Sequence, residues 1–233
     1  MAAYNMVSRL LVALDVDDCA KQPVPVPGKG EADGCVSRVE FPYRLRSDSA
    51  AGSKRLVQVR DGLTVATRVH FHSMRAPWVV LVNSLMTNLT MWDRVVPTLS
   101  QSFNVLCYDQ RGHGASAVPS EPCTVEALAD DIADVLYTLG VDKCRAVVGV
   151  SQGGATALAF ALRHPQRLDP VFANDTQAVS PEANAKAWDD RIALAHAKGM
   201  RALSKATVNR WYASGKAGDE ATKSFVDELI SSM

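Results

Sequence analysis

Residues 147–155 read V-V-G-V-S-Q-G-G-A. An apolar run enters from Cys144-Arg145-Ala146 and breaks at Gly149-Val150-Ser151-Gln152-Gly153, the pattern G-x-S-x-G, and A-T-A-L-A-F-A-L-R-H at 155–164 leaves it with helical periodicity. A buried strand running straight into a helix predicts a sharp turn at Ser151, flanked by residues small enough for two backbones to approach closely. Such a turn lifts the serine hydroxyl to the carboxyl end of the sheet, where the helix N-terminus favours negative charge. Ser151 is then either a nucleophile or a structural serine in a glycine-rich turn.

Working outward, R-L-V-Q-V-R, the turn pair Asp61-Gly62 and L-T-V-A-T-R-V-H-F-H predict an antiparallel hairpin over 55–72. W-V-V-L-V-N at 78–83 and F-N-V-L-C-Y-D at 103–109 are continuous apolar runs of strand length, the mark of strands covered on both faces. M-W-D-R-V-V-P-T-L-S at 91–100 predicts a helix between them. The strongest helix signal is at 124–140, with Val125, Leu128, Ile132, Val135, Leu136 and Leu139 on one face, Thr124 as N-cap and Gly140 as stop. P-V-F-A-N at 170–174 predicts one more strand, and 181–233 carries helical periodicity, with Trp188, Ile192 and Leu203 among its apolar positions, and no further buried strand. Alternation of this kind implies an α/β fold, a mostly parallel sheet with helices on both faces.

Residues 20–35, with P-V-P-V-P-G-K-G, predict an extended linker. The expected organisation is a leader and Pro/Gly-rich linker over 1–36, a core over 37–180 and a helical cap segment over 181–233. Lysines plus arginines balance aspartates plus glutamates at 25 each, so no net field draws the chain to nucleic acid or to an anionic membrane, and small-molecule chemistry is the expectation. No stretch reaches the roughly 18 to 20 apolar residues of a membrane span, and the start lacks a secretory cleavage signature. The five cysteines, Cys19, Cys35, Cys107, Cys123 and Cys144, form no C-x-x-C, which argues against a disulfide framework or a zinc site and for a reducing, cytoplasmic location.

V-L-V-N-S-L-M-T at 80–87, Met91-Trp92-Asp93, Y-D-Q-R-G-H-G-A-S at 108–116 and G-V-S-Q-G-G at 149–154 together resemble the alpha/beta-hydrolase superfamily. With A-W-D-D-R-I at 187–192, Gly199-Met200 and Arg210-Trp211, the chain looks most like beta-ketoadipate enol-lactone hydrolases over about residues 55–213. The resemblance implies an alpha/beta-hydrolase fold, Ser151 as nucleophile and an oxyanion hole from the backbone N–H groups of Leu85 and Gln152. It implies no cofactor or metal and a small lactone or ester as substrate. Met86 departs from the pattern, because the enol-lactonases usually have glycine there, and its side chain reshapes the expected pocket.

A serine hydroxyl needs a base, and in this fold the partners follow the serine in the order acid, then histidine. Of the two histidines after Ser151, His164 ends the helix that starts at the serine and His196 lies in the cap segment; neither matches the family's catalytic histidine. His113 reads as structural, and His70-Phe71-His72 as a surface pair on one strand face. Asp175, just beyond the strand at 170–174, stands where some relatives carry the triad acid. The expectation is therefore a chain that stops inside the cap, before the family's last two strands and its aspartate and histidine, with an open sheet edge that a second copy would cover. Three functional readings follow: a serine hydrolase of a lactone or ester, a catalytically impaired hydrolase-like protein or fragment with a binding role, and an accessory hydrolase of a secondary-metabolite pathway acting on a larger ester.

Overall fold

A computed structural model describes residues 52–212 and 220–233. The leader, the Pro/Gly-rich linker, the boundary at 36, Cys19 and Cys35 lie outside the described residues.

The hairpin forms as β1 (Ser53–Gln58) and β2 (Thr64–His70), antiparallel, with Leu56 opposite Ala66. β2 pairs antiparallel with β4 (Asn104–Tyr108), and β4 runs parallel to β3 (Trp78–Val82). β3 also runs parallel to β5 (Ala146–Val150), which carries β6 (Val171–Asn174) in parallel on its far side. The sheet order is β1-β2-β4-β3-β5-β6. The hairpin is thus an antiparallel flank on a parallel sheet, and the outer edge of β6 carries no strand among the described residues.

β3 and β5 are apolar throughout, and β4 is so beyond Asn104, because both of their faces are covered. On one face Val80, Val82, Leu106, Tyr108 and Val147 pack with Ile132 and Leu136 of α2 (Val125–Thr138) and Phe160 of α3 (Gln152–Arg163). On the other, Val79, Leu81, Val105, Cys107 and Val148 pack with Trp92, Val96, Leu99 and Phe103. Adjacent residues alternate between the two cores, as the pleat requires. Full burial of each such side chain contributes roughly 1.5 to 3 kcal/mol.

Several elements differ from their sequence reading. The helix expected over 91–100 is a 3-10 turn, Leu89–Trp92, followed by a single turn, α1 (Val96–Leu99). Pro97 has no N–H to bond back to Asp93, so the helix cannot run through. Val125 opens α2 but is 38% exposed, and the buried stripe begins at Leu128. Thr124 does cap α2, accepting from Ala127 N at 3.2 Å.

His70 and His72 do not form a pair on one strand face. β2 ends at His70, which is buried, whereas His72 lies beyond it with Nδ1 3.1 Å from Ser100 O.

Beyond β6 come α4 (Ala185–Trp211) and α5 (Glu220–Ser231). α4 is broken at Gly199, whose φ of 73° and ψ of 173° are far from helical. Its first half is open to solvent, with Trp188 38% and Ile192 54% exposed. After the break Leu203 is buried, and Ser204 Oγ donates to Asp227 Oδ1 of α5 at 2.6 Å. α5 buries Leu229 and Ile230, and its Phe225 ring lies under the Arg94 guanidinium at 5.8 Å. No helix among the described residues is long and apolar enough to cross a membrane.

Candidate active site

Ser151 is the one residue between the end of β5 and the start of α3, and it has φ 54° and ψ −117°. Those angles belong to glycine, and holding a side chain there costs about 1 to 3 kcal/mol. Three hydrogen bonds fix the turn. Ser151 N–H donates to Asn174 O of β6 at 2.9 Å, and Ser151 O accepts from Ala155 N at 3.0 Å and from Thr176 Oγ1 at 2.7 Å. The neighbouring glycines make the turn geometrically feasible: a Cβ on Gly149 would lie 2.0 Å from Gly153 O, and one on Gly153 2.4 Å from Val82 O. Ser151 and Gln152 are half-buried at the carboxyl edge of the sheet, where the first N–H groups of α3 lack intrahelical acceptors.

The loop after β3 lies beside this turn, since Gly153 packs directly on the carbonyls of Val82 and Asn83. Leu85 and Met86 are half-buried there, and Met86 is left-handed at φ 62°. A glycine would adopt that φ without strain; the methionine that stands in its place does not. The loop is tied down on every side. Thr87 Oγ1 donates to Ser84 O at 2.8 Å, and Asn83 Nδ2 donates to Ser84 O at 3.0 Å and Thr87 O at 2.7 Å. Met86 N–H donates to His113 Nε2 at 3.3 Å, and Leu89 N–H to Asp109 Oδ1 at 2.6 Å.

A buried polar chain then joins this loop to α3. Gln110 N–H donates to Asn83 Oδ1 at 3.0 Å and Gln110 Nε2 to Asn83 O at 2.7 Å, while Gln110 Oε1 accepts from Thr156 Oγ1 at 2.7 Å. Asn83, Gln110 and Thr156 are each fully buried. None of the three stood out as a site residue in the sequence; the available signal was their polarity inside otherwise apolar strand and helix patterns.

Burial raises the pKa of the Asp109 carboxyl, against the opposing hydrogen bonds from Ala115 N–H and Leu89 N–H. Burial lowers that of His113, against the Arg111 carbonyl and the charge of Asp109. The turn after β4 is held to α2 by Arg111, whose Nε donates to Asp131 Oδ2 at 2.7 Å; that bond, more than any other influence, keeps the guanidinium firmly protonated.

The residues considered as proton acceptors do not converge on the serine. His164 caps the far end of α3, with Nε2 2.8 Å from Asp130 Oδ1. His196 is exposed on α4, and His113 is engaged by Met86 and Arg111. No histidine hydrogen bonds to Ser151 among the described residues. Asp175 follows β6 directly at φ 48°, is exposed, and has no histidine partner among the described residues, whereas its neighbour Thr176 does reach Ser151. On α4 the Arg191 guanidinium stacks 4.3 Å above the Trp188 ring, and Trp211 is 40% exposed.

Comparison with known proteins places this parallel sheet with its antiparallel hairpin in a known family. The family model described as alpha/beta hydrolase fold matches residues 77–214, and the chain belongs to that family. It is 33% identical over 139 residues to 3-oxoadipate enol-lactonase 2 of Acinetobacter baylyi, across 60% of this chain and 51% of the relative. To 3-oxoadipate enol-lactonase 1 of the same organism it is 32% identical over 158 residues, across 67% of this chain and 57% of the relative. The chain thus spans about half the length of these two relatives. Among solved structures, the enol-lactonase of Burkholderia xenovorans superposes with a TM-score of 0.69 at 33% identity, covering 76% of this chain and 67% of that one.

Proposed function

We propose that this chain is a serine hydrolase acting on a lactone or carboxylic ester. Ser151 Oγ attacks the carbonyl carbon, the N–H groups of Leu85 and Gln152 receive the oxyanion, and water later releases the acyl group. The observation that carries this reading is the strained backbone of Ser151, at φ 54° and ψ −117°, directly ahead of a helix N-terminus. The enol-lactonases among its relatives support the lactone and ester class. Met86 stands where the resemblance to the enol-lactone hydrolases leads one to expect glycine, and in this reading its side chain reshapes the pocket. Residues 181–233 are the cap segment in this reading, and the outer edge of β6 is where a second copy associates. The free thiols Cys107, Cys123 and Cys144 support a reducing compartment.

A second reading is favoured by one observation: no histidine hydrogen bonds to Ser151 among the described residues. A chain of this kind that lacks a base keeps substrate binding and the oxyanion hole, about 10³- to 10⁴-fold over water, and acts as a hydrolase-like binding protein. Incubation with a fluorophosphonate probe separates the two. Labelling that disappears in Ser151→Ala supports the hydrolase; a folded wild-type chain that stays unlabelled overturns it in favour of the binding protein.

A further inference from the structure

The imidazole of His113 is buried between two backbone groups of opposite character. Nε2 accepts from Met86 N–H at 3.3 Å, and Nδ1 lies 3.1 Å from Arg111 O. An amide can only donate and a carbonyl can only accept, so the ring meets both as the neutral tautomer that carries its proton on Nδ1.

That contact falls at a particular place in the loop. Leu85 sits between two peptide planes. The plane before it, which contains the Leu85 N–H, is held through Ser84 O by Thr87 Oγ1 at 2.8 Å and Asn83 Nδ2 at 3.0 Å. The plane after it is held through Met86 N–H by His113 alone among the side chains of the described residues. Met86 is also left-handed at φ 62°, a strained conformation that an outside contact must maintain. His113 itself is well anchored: its N–H donates to Gln110 O at 3.0 Å, its carbonyl accepts from Ser116 N at 2.9 Å, and Ser116 Oγ donates to Asp109 O at 2.6 Å. The charged group facing the ring is Asp109, while the Arg111 guanidinium is turned to Asp131 and Asp61.

We infer that His113 is a positioning residue for the Leu85 amide: as a neutral acceptor it fixes the Leu85–Met86 peptide and so aims the Leu85 N–H at the anion that forms above Ser151. The inference rests on the serine-hydrolase reading for the identity of that anion. The hold on the loop is independent of it.

Long-range proton–nitrogen correlation of the wild-type imidazole at pH 7 is expected to give the neutral form protonated on Nδ1; a charged ring or one protonated on Nε2 overturns the inference. In His113→Phe, amide hydrogen exchange at Met86 and Leu85 is expected to accelerate about fivefold or more. In His113→Gln, where Oε1 replaces the acceptor, it stays near wild type. Unchanged exchange in a folded His113→Phe, or Gln and Phe behaving alike, overturns it. With p-nitrophenyl acetate as substrate, kcat is expected to fall about tenfold in His113→Phe with KM unchanged, and to return with Gln. A wild-type chain that neither turns over this ester nor takes the probe, yet shows the expected tautomer and exchange, counts against the hydrolase reading and leaves the positioning role supported.

Discussion

Asn83 and Gln110 grip each other through two antiparallel hydrogen bonds, one from the Gln110 backbone to the Asn83 side chain and one from the Gln110 side chain to the Asn83 backbone, at 3.0 and 2.7 Å. The first residue follows β3 directly and begins the loop bearing Leu85; the second lies in the turn after β4. Through Thr156 the same pair reaches α3, which begins at Gln152. The spacing of the two proposed oxyanion donors therefore depends on one buried side chain that belongs to neither.

Gln110→Ala strands the Asn83 carbonyl and leaves the Thr156 hydroxyl with Gln152 O, at 3.0 Å, as its remaining acceptor. The expected loss of stability is about 1 to 3 kcal/mol, chiefly from the buried Asn83 carbonyl left without its donor. Urea unfolding at neutral pH measures it, and a loss below about 0.5 kcal/mol would mean that water replaces the amide without penalty.

Two glycines separate steric from conformational effects. In Gly153→Ala the new Cβ meets Val82 O at 2.4 Å and Asn83 O at 2.6 Å, both backbone atoms, so the turn itself must move. More than about 4 kcal/mol is expected to be lost, seen as a collapse of the melting temperature or of soluble protein. Gly199→Ala meets no atom within 4 Å and is strained only by its φ of 73°. It is expected to cost about 1 to 2 kcal/mol. Equal effects at the two positions would contradict the packing of α3 on β3.

His70 is buried, and its Nε2 has no partner among the described residues. Burial lowers its pKa, Arg68 adds to the effect, and Asp93 opposes it. A histidine with a depressed folded-state pKa contributes stability that is present above its unfolded value of about 6.5 and is lost as pH falls through the folded value. His70→Phe is expected to match wild type at pH 8 and to lose less stability between about pH 6.5 and 5; guanidinium midpoints across that range test it. Parallel curves for the two proteins would exclude His70 from the acid response.

The strands and the serine turn were legible because each leaves a local trace. The apolar runs at 78–83, 103–109 and 144–150 can be buried on both faces only in a covered sheet, and G-x-S-x-G between strand and helix patterns has few other uses. The contacts that position the site leave none. Asn83, Gln110 and Thr156 meet across separations of 27 and 46 residues, with no period to link them. The break at Gly199 was hidden for a related reason: apolar positions keep helical spacing on both sides of it, and nothing local says that the second half turns to pack on α5. His113 read correctly as a residue held in structure, but its acceptor role depends on a loop 27 positions away.

The angles of Ser151 carry one more implication. By the demands of folding alone, glycine is the better residue at 151, since it takes φ 54° without the strain of a side chain. In the proposed reading, the strain at this position sets a hydroxymethyl group where a substrate carbonyl meets it.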